Sequence, residues 1–188
     1  MRSDILNYLR EELRRRCEQP SNRFGMGVYE HIEAVVKNGA FLAERYGADK
    51  EVVMIAAWLH DIASVTDYSL YPDHHIHGAE MAQGILSQWD YEPEKIALVR
   101  SCIRSHRGSV PLDRKSVEEL CVADADAVSH FDSLPSLLYL AYRERGMELE
   151  EGKKFVKGKL ERSFQKLSPR SRELYRNKYR RVMDILNG

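Results

Sequence analysis

Apolar residues recur every three or four positions along almost the whole chain, while the strict alternation of a β-strand is nearly absent. This spacing is that of amphipathic α-helices, in which one face repeats every 3.6 residues. The pattern predicts helices over residues 3–18, 27–46, 50–63, 74–89, 93–106, 116–127 with an extension to 130, 134–145, 151–166 and 169–186. Residues 67–73 and 108–113 are predicted to be loops. An all-α chain is expected, with the very apolar segment 50–63 as its buried central helix.

The length of 188 residues suits one domain with a sizeable core. No repeat, low-complexity tract or linker interrupts the helical pattern, so a compact single-domain helical bundle over residues 1–188 is expected. The composition is that of a soluble globular protein, and no stretch approaches the length of a membrane span. Three cysteines without metal-binding spacing, and an N-terminus without the apolar core of a signal peptide, favour the cytoplasm.

Charge is balanced over the whole chain but not along it. Lysine plus arginine and aspartate plus glutamate each number 29, which gives no general reason to expect binding to nucleic acid or anionic membranes. Residues 152–188 nevertheless carry twelve basic side chains and three acidic ones. A solvated helix face is the favoured interpretation, and an anion-attracting surface is the alternative. A nucleic-acid interface is disfavoured, because the basic residues form no recognisable recognition motif.

Imidazoles and carboxylates fall on the apolar faces of the predicted helices. Each has aliphatic neighbours in its own helical segment: His31, His60, Asp61, His106 and Asp126. Burying such a group without a partner costs on the order of several kcal/mol. Taken singly, His31 or His106 is more simply a hydrogen-bonded core residue, but an adjacent His60-Asp61 pair inside an apolar helix is harder to explain in that way. A divalent cation shared among these side chains would satisfy all of them.

The order His31, His60-Asp61, Asp126 resembles the H…HD…D signature of the HD superfamily of metal-dependent phosphohydrolases. Four further segments are similar to family motifs: residues 56–62 to AALLHDI, 77–86 to HxxGAxxAxxIL, 103–106 to IxxH and 123–128 to DADxL. Residues 155–186 also resemble the C-terminal helices of small HD-domain nucleotide hydrolases. The resemblance implies an HD-type bundle with a metal-site core over about residues 24–132 and basic helices over about 134–188 packed on it.

The same resemblance implies four ligands of one metal ion: His31, His60, Asp61 and Asp126. Relatives with a second metal ion, bridged by the aspartate of the HD pair, use two more histidines, which here would be His77 and His106. One ion or two therefore remain open. A mixed histidine and aspartate shell suits Mn²⁺, Fe²⁺, Co²⁺, Ni²⁺, Zn²⁺ or Mg²⁺. His74 and His75 are expected at the pocket rim or in solvent, and His130 is not expected to be a ligand.

One motif departs from the family pattern. Many relatives continue the HD pair as HDIGK, whereas this chain has Ala63 and Ser64 after Ile62. The phosphate contact of that lysine must therefore come from another residue or be absent. The candidates for substrate binding are Arg104, Arg107, Arg23 and Lys159.

The expected function is hydrolysis of a phosphate ester or anhydride bond in a nucleotide or similar small phosphorylated compound, with Asp61 as the catalytic carboxylate. The first alternative is a phosphodiesterase for a cyclic or linear oligonucleotide. The second is a catalytically silent, metal-stabilised regulatory or binding module, which the missing lysine supports. No membrane partner is expected, and assembly into a homo-oligomer stays open.

Overall fold

In a computed structural model, the chain is described over residues 1–107 and 113–187. Within those ranges it forms α-helices and short helical turns, and no strand. The α-helices are α1 Ser3–Cys17, α2 Gly27–Tyr46, α3 Lys50–Leu59, α4 Ile62–Thr66, α5 His74–Gln88, α6 Pro93–Ser105, α7 Val117–Asp132, α8 Leu134–Tyr139, α9 Leu149–Lys166 and α10 Pro169–Asn187. A 3₁₀-helix spans Tyr68–Asp73, and a π-helical turn spans Leu140–Glu144. None of the described helices is both long enough and apolar enough to cross a bilayer.

The predicted all-α class is confirmed, and most predicted helix limits lie within two residues of the observed ones. One of the two predicted loops differs. Residues 67–73, predicted to be a loop, form the 3₁₀-helix. The predicted loop over residues 108–113 lies, apart from Asp113, outside the described residues.

The predicted continuous helix over residues 50–63 is wrong at one point. α3 ends at Leu59 and α4 begins at Ile62, so the chain leaves the helix at His60 and Asp61. The backbone of Asp61 has φ −110° and ψ 12°, outside the α-helical region. In a continuous helix the Asp61 side chain would project about 100° around the axis from that of His60. Because the chain leaves the helix here, Asp61 does not take that direction.

α3 lies at the centre of the fold, as its apolar sequence predicts. Val52, Val53 and Ile55 are fully buried, and α3 packs against α1, α2, α6 and α7. The crossing with α2 is close: a Cβ atom on Gly39 would lie 3.1 Å from Val53 Cγ1. α5 packs against α6, and α9 and α10 cover α7. The HD pair therefore emerges from the most buried helix of the protein.

Aspartates organise two helix starts. The Asp49 carboxylate accepts hydrogen bonds from the backbone N–H groups of Glu51 and Val52, at 3.0 and 3.2 Å, and so caps α3. Asp124 on α7 accepts from the backbone N–H and the hydroxyl of Ser168, at 2.9 and 2.5 Å. Because Ser168 immediately precedes α10, these hydrogen bonds from Ser168 to Asp124 fix the start of α10 against α7.

A buried carboxylate also ties the N-terminus to the helical core. Glu51 accepts hydrogen bonds from the Tyr91 hydroxyl at 3.0 Å, from Lys95 Nζ at 3.1 Å and from the Arg2 backbone N–H at 2.5 Å. Burial alone would raise the pKa of Glu51, but these hydrogen bonds outweigh it and lower the pKa from 4.5 to about 2. The ionised form of Glu51 is therefore favoured by folding.

We expect Glu51→Gln to lower the free energy of unfolding at neutral pH by about 1–3 kcal/mol, because it leaves buried donors without a charged acceptor. Since the native pKa is depressed, the contribution of the wild-type carboxylate is complete above pH 4.5 and is lost as the pH falls to about 2. Urea unfolding across this pH range measures the difference. The control is Glu44→Gln on the exposed surface of α2, which should change stability by less than about 0.5 kcal/mol. An equal loss for Glu51→Gln at every pH would refute this explanation.

Candidate metal centre

The first cluster combines side chains from three distant parts of the chain. His31 lies on α2, His60 follows the last residue of α3, and Asp126 lies on α7. One ligand atom from each residue lies within 4.8 Å of the other two. His31 Nε2 is 3.2 Å from Asp126 Oδ1. The structure thus brings together three of the four residues that the family resemblance implies as ligands of one ion.

The second cluster lies beside the first. Asp61 follows His60, His74 is the first residue of α5, and His106 follows the last residue of α6. Their ligand atoms also lie within 4.8 Å of one another. His74 Nε2 is 3.4 Å from Asp61 Oδ1 and 3.2 Å from His106 Nε2. Each cluster therefore offers two imidazoles and one carboxylate.

Asp61 connects the two clusters. Its Oδ2 atom is 3.3 Å from His60 Nε2, and its Oδ1 atom is 3.4 Å from His74 Nε2. The His60 and His106 rings, one from each cluster, lie 5.2 Å apart between centroids. The Asp61 side chain is 21% exposed, whereas that of His60 is 1% exposed. Asp61 is therefore positioned between both ligand sets and is also within reach of solvent.

Hydrogen bonds to the backbone set the tautomers of three of these histidines. The Nδ1 atoms of His60, His74 and His106 lie 2.7, 2.8 and 2.6 Å from the carbonyl oxygen three residues earlier in the chain. A carbonyl oxygen can only accept, so each Nδ1 carries the hydrogen and donates it. In each neutral ring the lone pair then lies on Nε2, directed into the clusters. Such a hydrogen bond from the second ring nitrogen is typical of histidines that ligate metals.

The donor set fits a divalent cation. His60 Nε2 is buried and has no hydrogen-bond partner among the described residues. His74 Nε2 and His106 Nε2 face each other at 3.2 Å, and in the neutral tautomers that their Nδ1 hydrogen bonds favour neither Nε2 carries a hydrogen. Burial, together with the nearby imidazoles of His60 and His74, holds the pKa of His106 well below its usual value, so its ring is neutral. A cation would accept all three lone pairs, and the mixed nitrogen and oxygen shell suits first-row divalent ions.

Both carboxylates are anionic at neutral pH. Burial would raise the pKa of Asp61, but the surrounding histidines His60, His74 and His106 hold it well below its usual value. Burial opposes ionisation of Asp126 in the same way, and the ammonium of Lys166 and the imidazole of His31 keep its pKa low. Each cluster therefore carries the negative charge that a cation requires.

The second-cluster ligand set needs a correction. The resemblance pairs His77 with His106, whereas the structure places His74 beside His106 and leaves His77 outside both clusters. α5 begins at His74, so His77 lies three residues, about 4.5 Å, farther along the helix axis. His74 and His75 are also buried, so neither lies in solvent, which was one of the two places expected for them. The Tyr71 carbonyl of the 3₁₀-helix orients His74. Because residues 67–73 were predicted to be a loop, this contact could not be predicted from the sequence.

α9 adds positive charge next to Asp126. The ammonium of Lys166 forms an ion pair with Asp126 Oδ2, and the Lys166 side chain is 8% exposed. Burial lowers the pKa of Lys159, and the attraction of Asp126 and Asp61 opposes this shift. His130 is buried, and its Nδ1 atom lies 3.3 Å from the Ser163 hydroxyl. Lys166 is absent from the sequence-based candidates, because nothing distinguishes it from its many basic neighbours.

The three arginine candidates lie at the periphery. Arg23 and Arg104 are exposed, and within the described ranges neither has a hydrogen bond or ion pair with a residue of the two clusters. Arg107 donates to the Pro72 carbonyl and lies 3.9 Å from Asp73 Oδ1. Arg107 is therefore the nearest of the three to the 3₁₀-helix that orients His74.

Comparison with known proteins agrees with this arrangement. The HD domain family profile matches residues 28–130, which contain all six cluster residues. An uncharacterized protein of Clostridium beijerinckii is 33% identical over 75 residues, a match that covers 40% of this chain and 45% of that protein. The chain is thus aligned to less than half of the length of this relative.

Solved structures share the fold over nearly the whole chain. Bacillus subtilis YpgQ superposes with a TM-score of 0.72 at 16% identity, covering 98% of this chain and 92% of YpgQ. YpgQ in complex with ADP gives 0.68 at 18% identity, with coverage of 97% and 94%. A predicted HD superfamily hydrolase from an uncultured Thermotogales bacterium gives 0.55 at 25% identity, covering 85% of both chains. Since the family profile matches more than half of the sequence, this chain belongs to the HD domain family.

Proposed function

We propose that the protein is a metal-dependent phosphohydrolase that cleaves a phosphate ester or anhydride bond of a nucleotide or similar small phosphorylated compound. The observation that carries the proposal is the pair of His/Asp clusters joined through Asp61, whose two oxygens lie 3.3 and 3.4 Å from the Nε2 atoms of His60 and His74. The ADP complex of YpgQ, a protein of the same fold, supports a nucleotide as the substrate.

The side chains of the site have separate parts in this reaction. A bound divalent ion would lower the pKa of water from 15.7 to roughly 7 and offset charge on the phosphoryl oxygens. His31, His60 and Asp126 would hold one ion, and His74 and His106 would supply the histidine ligands of a second. Asp61, anionic and in reach of solvent, can orient the attacking water through a carboxylate oxygen and accept its proton.

α9 is the best source for the phosphate contact of the missing lysine. Ala63 and Ser64, which occupy the last two positions of the HDIGK motif, are both buried in α4 and carry no charge. The charges of Asp126 and Asp61 both act on the Lys159 ammonium, yet no carboxylate oxygen of the described residues lies within 4.0 Å of it. An ammonium held near two carboxylates without a direct partner can contact a phosphoryl oxygen bound between them. We assign this contact to Lys159, with Lys166 holding Asp126 in place.

Lys159→Met tests this contact. The substitution keeps most of the side-chain length and removes the charge, so kcat/KM for a nucleotide should fall about tenfold to a hundredfold, the scale of one charged hydrogen bond. Bound metal per chain should not change. The control is Lys154→Met at an exposed position of the same helix, for which kcat/KM should stay within about twofold of the wild type. Equal kinetics for both variants would remove Lys159 from the substrate site.

A panel of substrates tests the function itself. The purified protein is incubated with Mn²⁺ and nucleoside mono-, di- and triphosphates, and released phosphate and pyrophosphate are measured. Turnover of at least one of these nucleotides supports the proposal. Two adjacent clusters also favour the alternative of a phosphodiesterase, because paired metal ions can hold the attacking and the leaving oxygen. Turnover of cyclic or linear dinucleotides alone would favour that alternative, and no turnover would favour the silent metal-stabilised module.

A further inference from the structure

An aromatic ladder extends from the second cluster to the surface. Tyr68 and Tyr71 lie three residues apart on the 3₁₀-helix, and His74 follows after three more. Because a 3₁₀-helix has three residues per turn, side chains at this spacing eclipse one another. The Tyr68 and Tyr71 rings lie 5.7 Å apart between centroids and 7° from parallel, and the Tyr71 and His74 rings lie 5.6 Å apart and 13° from parallel.

The outer part of this ladder is open to solvent. Tyr68 is 42% exposed and Tyr71 is 39% exposed. Phe24, from the segment between α1 and α2, packs against both rings at centroid distances of 5.4 and 5.3 Å. Three aromatic rings therefore contact one another, and two of them are exposed to solvent.

The ladder is continuous with the candidate metal centre. Its inner ring, His74, contributes Nε2 to the second cluster. Burial raises the pKa of Tyr71, and the negative charge of Asp61 raises it further. Positive charge from Arg145 and Arg107 also acts on Tyr71. A ligand with its phosphate at the clusters would thus meet cationic groups and then the exposed aromatic side chains of Tyr68 and Tyr71.

We propose that Tyr68 and Tyr71, supported by Phe24, form the surface on which the base of a nucleotide substrate stacks. This inference rests on the proposed function, because it places the phosphate of the same molecule at the metal centre. We favour a nucleotide base over an apolar peptide as the occupant, because the aromatic residues are few and adjoin the proposed phosphate site. Aromatic stacking tolerates any base, so the surface selects nucleotides over bare phosphates without selecting one base.

The test compares two ligands that differ in the nucleoside. Binding of ADP and of inorganic pyrophosphate to the Mn²⁺-loaded protein is measured by calorimetry for the wild type, Tyr68→Ala and Tyr71→Leu. The ratio of ADP affinity to pyrophosphate affinity should fall at least about fivefold in each variant, the lower range for loss of one ring under a base. The matched control is Phe41→Ala, an aromatic residue that is 46% exposed on α2 and has no ring contact among the described residues; its ratio should not change.

The outcomes separate the base surface from the hydrolase. An unchanged ratio in both tyrosine variants would overturn the base surface. An equal loss of affinity for both ligands, together with a lowered unfolding temperature, would also overturn it, because the tyrosines would then only stabilise the fold. Wild-type protein that binds ADP no more tightly than pyrophosphate, yet hydrolyses phosphate compounds, would refute the surface and leave the hydrolase intact. A fallen ratio in a protein without turnover would support the surface and refute the hydrolase.

Discussion

Asp61→Asn is expected to reduce kcat for phosphate release by about a hundredfold to a thousandfold, the scale on which loss of one preorganised charged group acts. Asparagine has nearly the same shape as aspartate, so the packing around His60 should persist. It lacks the negative charge and one of the two oxygens, which lie 3.3 and 3.4 Å from the Nε2 atoms of His60 and His74. Steady-state kinetics with the best nucleotide of the panel measures the loss.

The control for this substitution is Asp90→Asn. Asp90 is exposed and has a positive φ of 48°, a backbone conformation that asparagine also tolerates. Its kinetics should match those of the wild type within about twofold. A folded Asp61→Asn protein with wild-type kcat would mean that Asp61 takes no part in the reaction.

Removal of divalent metal is expected to lower the unfolding temperature by about 5–11 °C relative to protein with Mn²⁺ at a hundred times its Kd. Ligand at that concentration stabilises the native state by about 2.7 kcal/mol, and each kcal/mol shifts the midpoint of a protein of this size by about 2–4 °C. The structural reason is that the Nε2 atoms of His74 and His106 lie together beside Asp61 and that His60 Nε2 has no hydrogen-bond partner among the described residues. Calorimetric melting with EDTA and with added Mn²⁺ measures the shift.

His60→Ala provides the comparison for this effect. His60 is fully buried and its Nε2 atom belongs to the first cluster, so the variant should lose much of the Mn²⁺-dependent shift. His77→Ala is the matched variant, because His77 lies outside both clusters and should keep the shift in full. Equal Mn²⁺ responses of the two variants would contradict the assignment of ligands.

The fold was largely predictable because its determinants are local. Helical spacing predicts the all-α class. The start of α3 is predicted by Asp49, because an aspartate at this position caps the helix with its own carboxylate. The burial of His31, His60 and Asp126 follows from the apolar faces on which they lie, and their meeting in space follows from the family motifs.

The details of the site depended on contacts that a pattern of single residues does not contain. The break between α3 and α4 occurs inside an apolar stretch with no glycine or proline to mark it. The choice of His74 over His77 depends on the Tyr71 carbonyl, which is placed by a 3₁₀-helix that looks like a loop in the sequence. Lys166 reaches Asp126 because α9 packs on α7, forty residues later in the chain.

X-ray diffraction from crystals soaked in Mn²⁺, recorded with anomalous scattering, tests the central claim that these side chains converge around a cation. The account predicts an anomalous peak at bonding distance, about 2.0–2.2 Å by analogy with other divalent ions, from the Nε2 atoms of His31 and His60 and from an oxygen of Asp126. A second peak beside His74 and His106 would assign a second ion to the other cluster. Well-ordered side chains with no peak within bonding distance of any of these atoms would contradict the account.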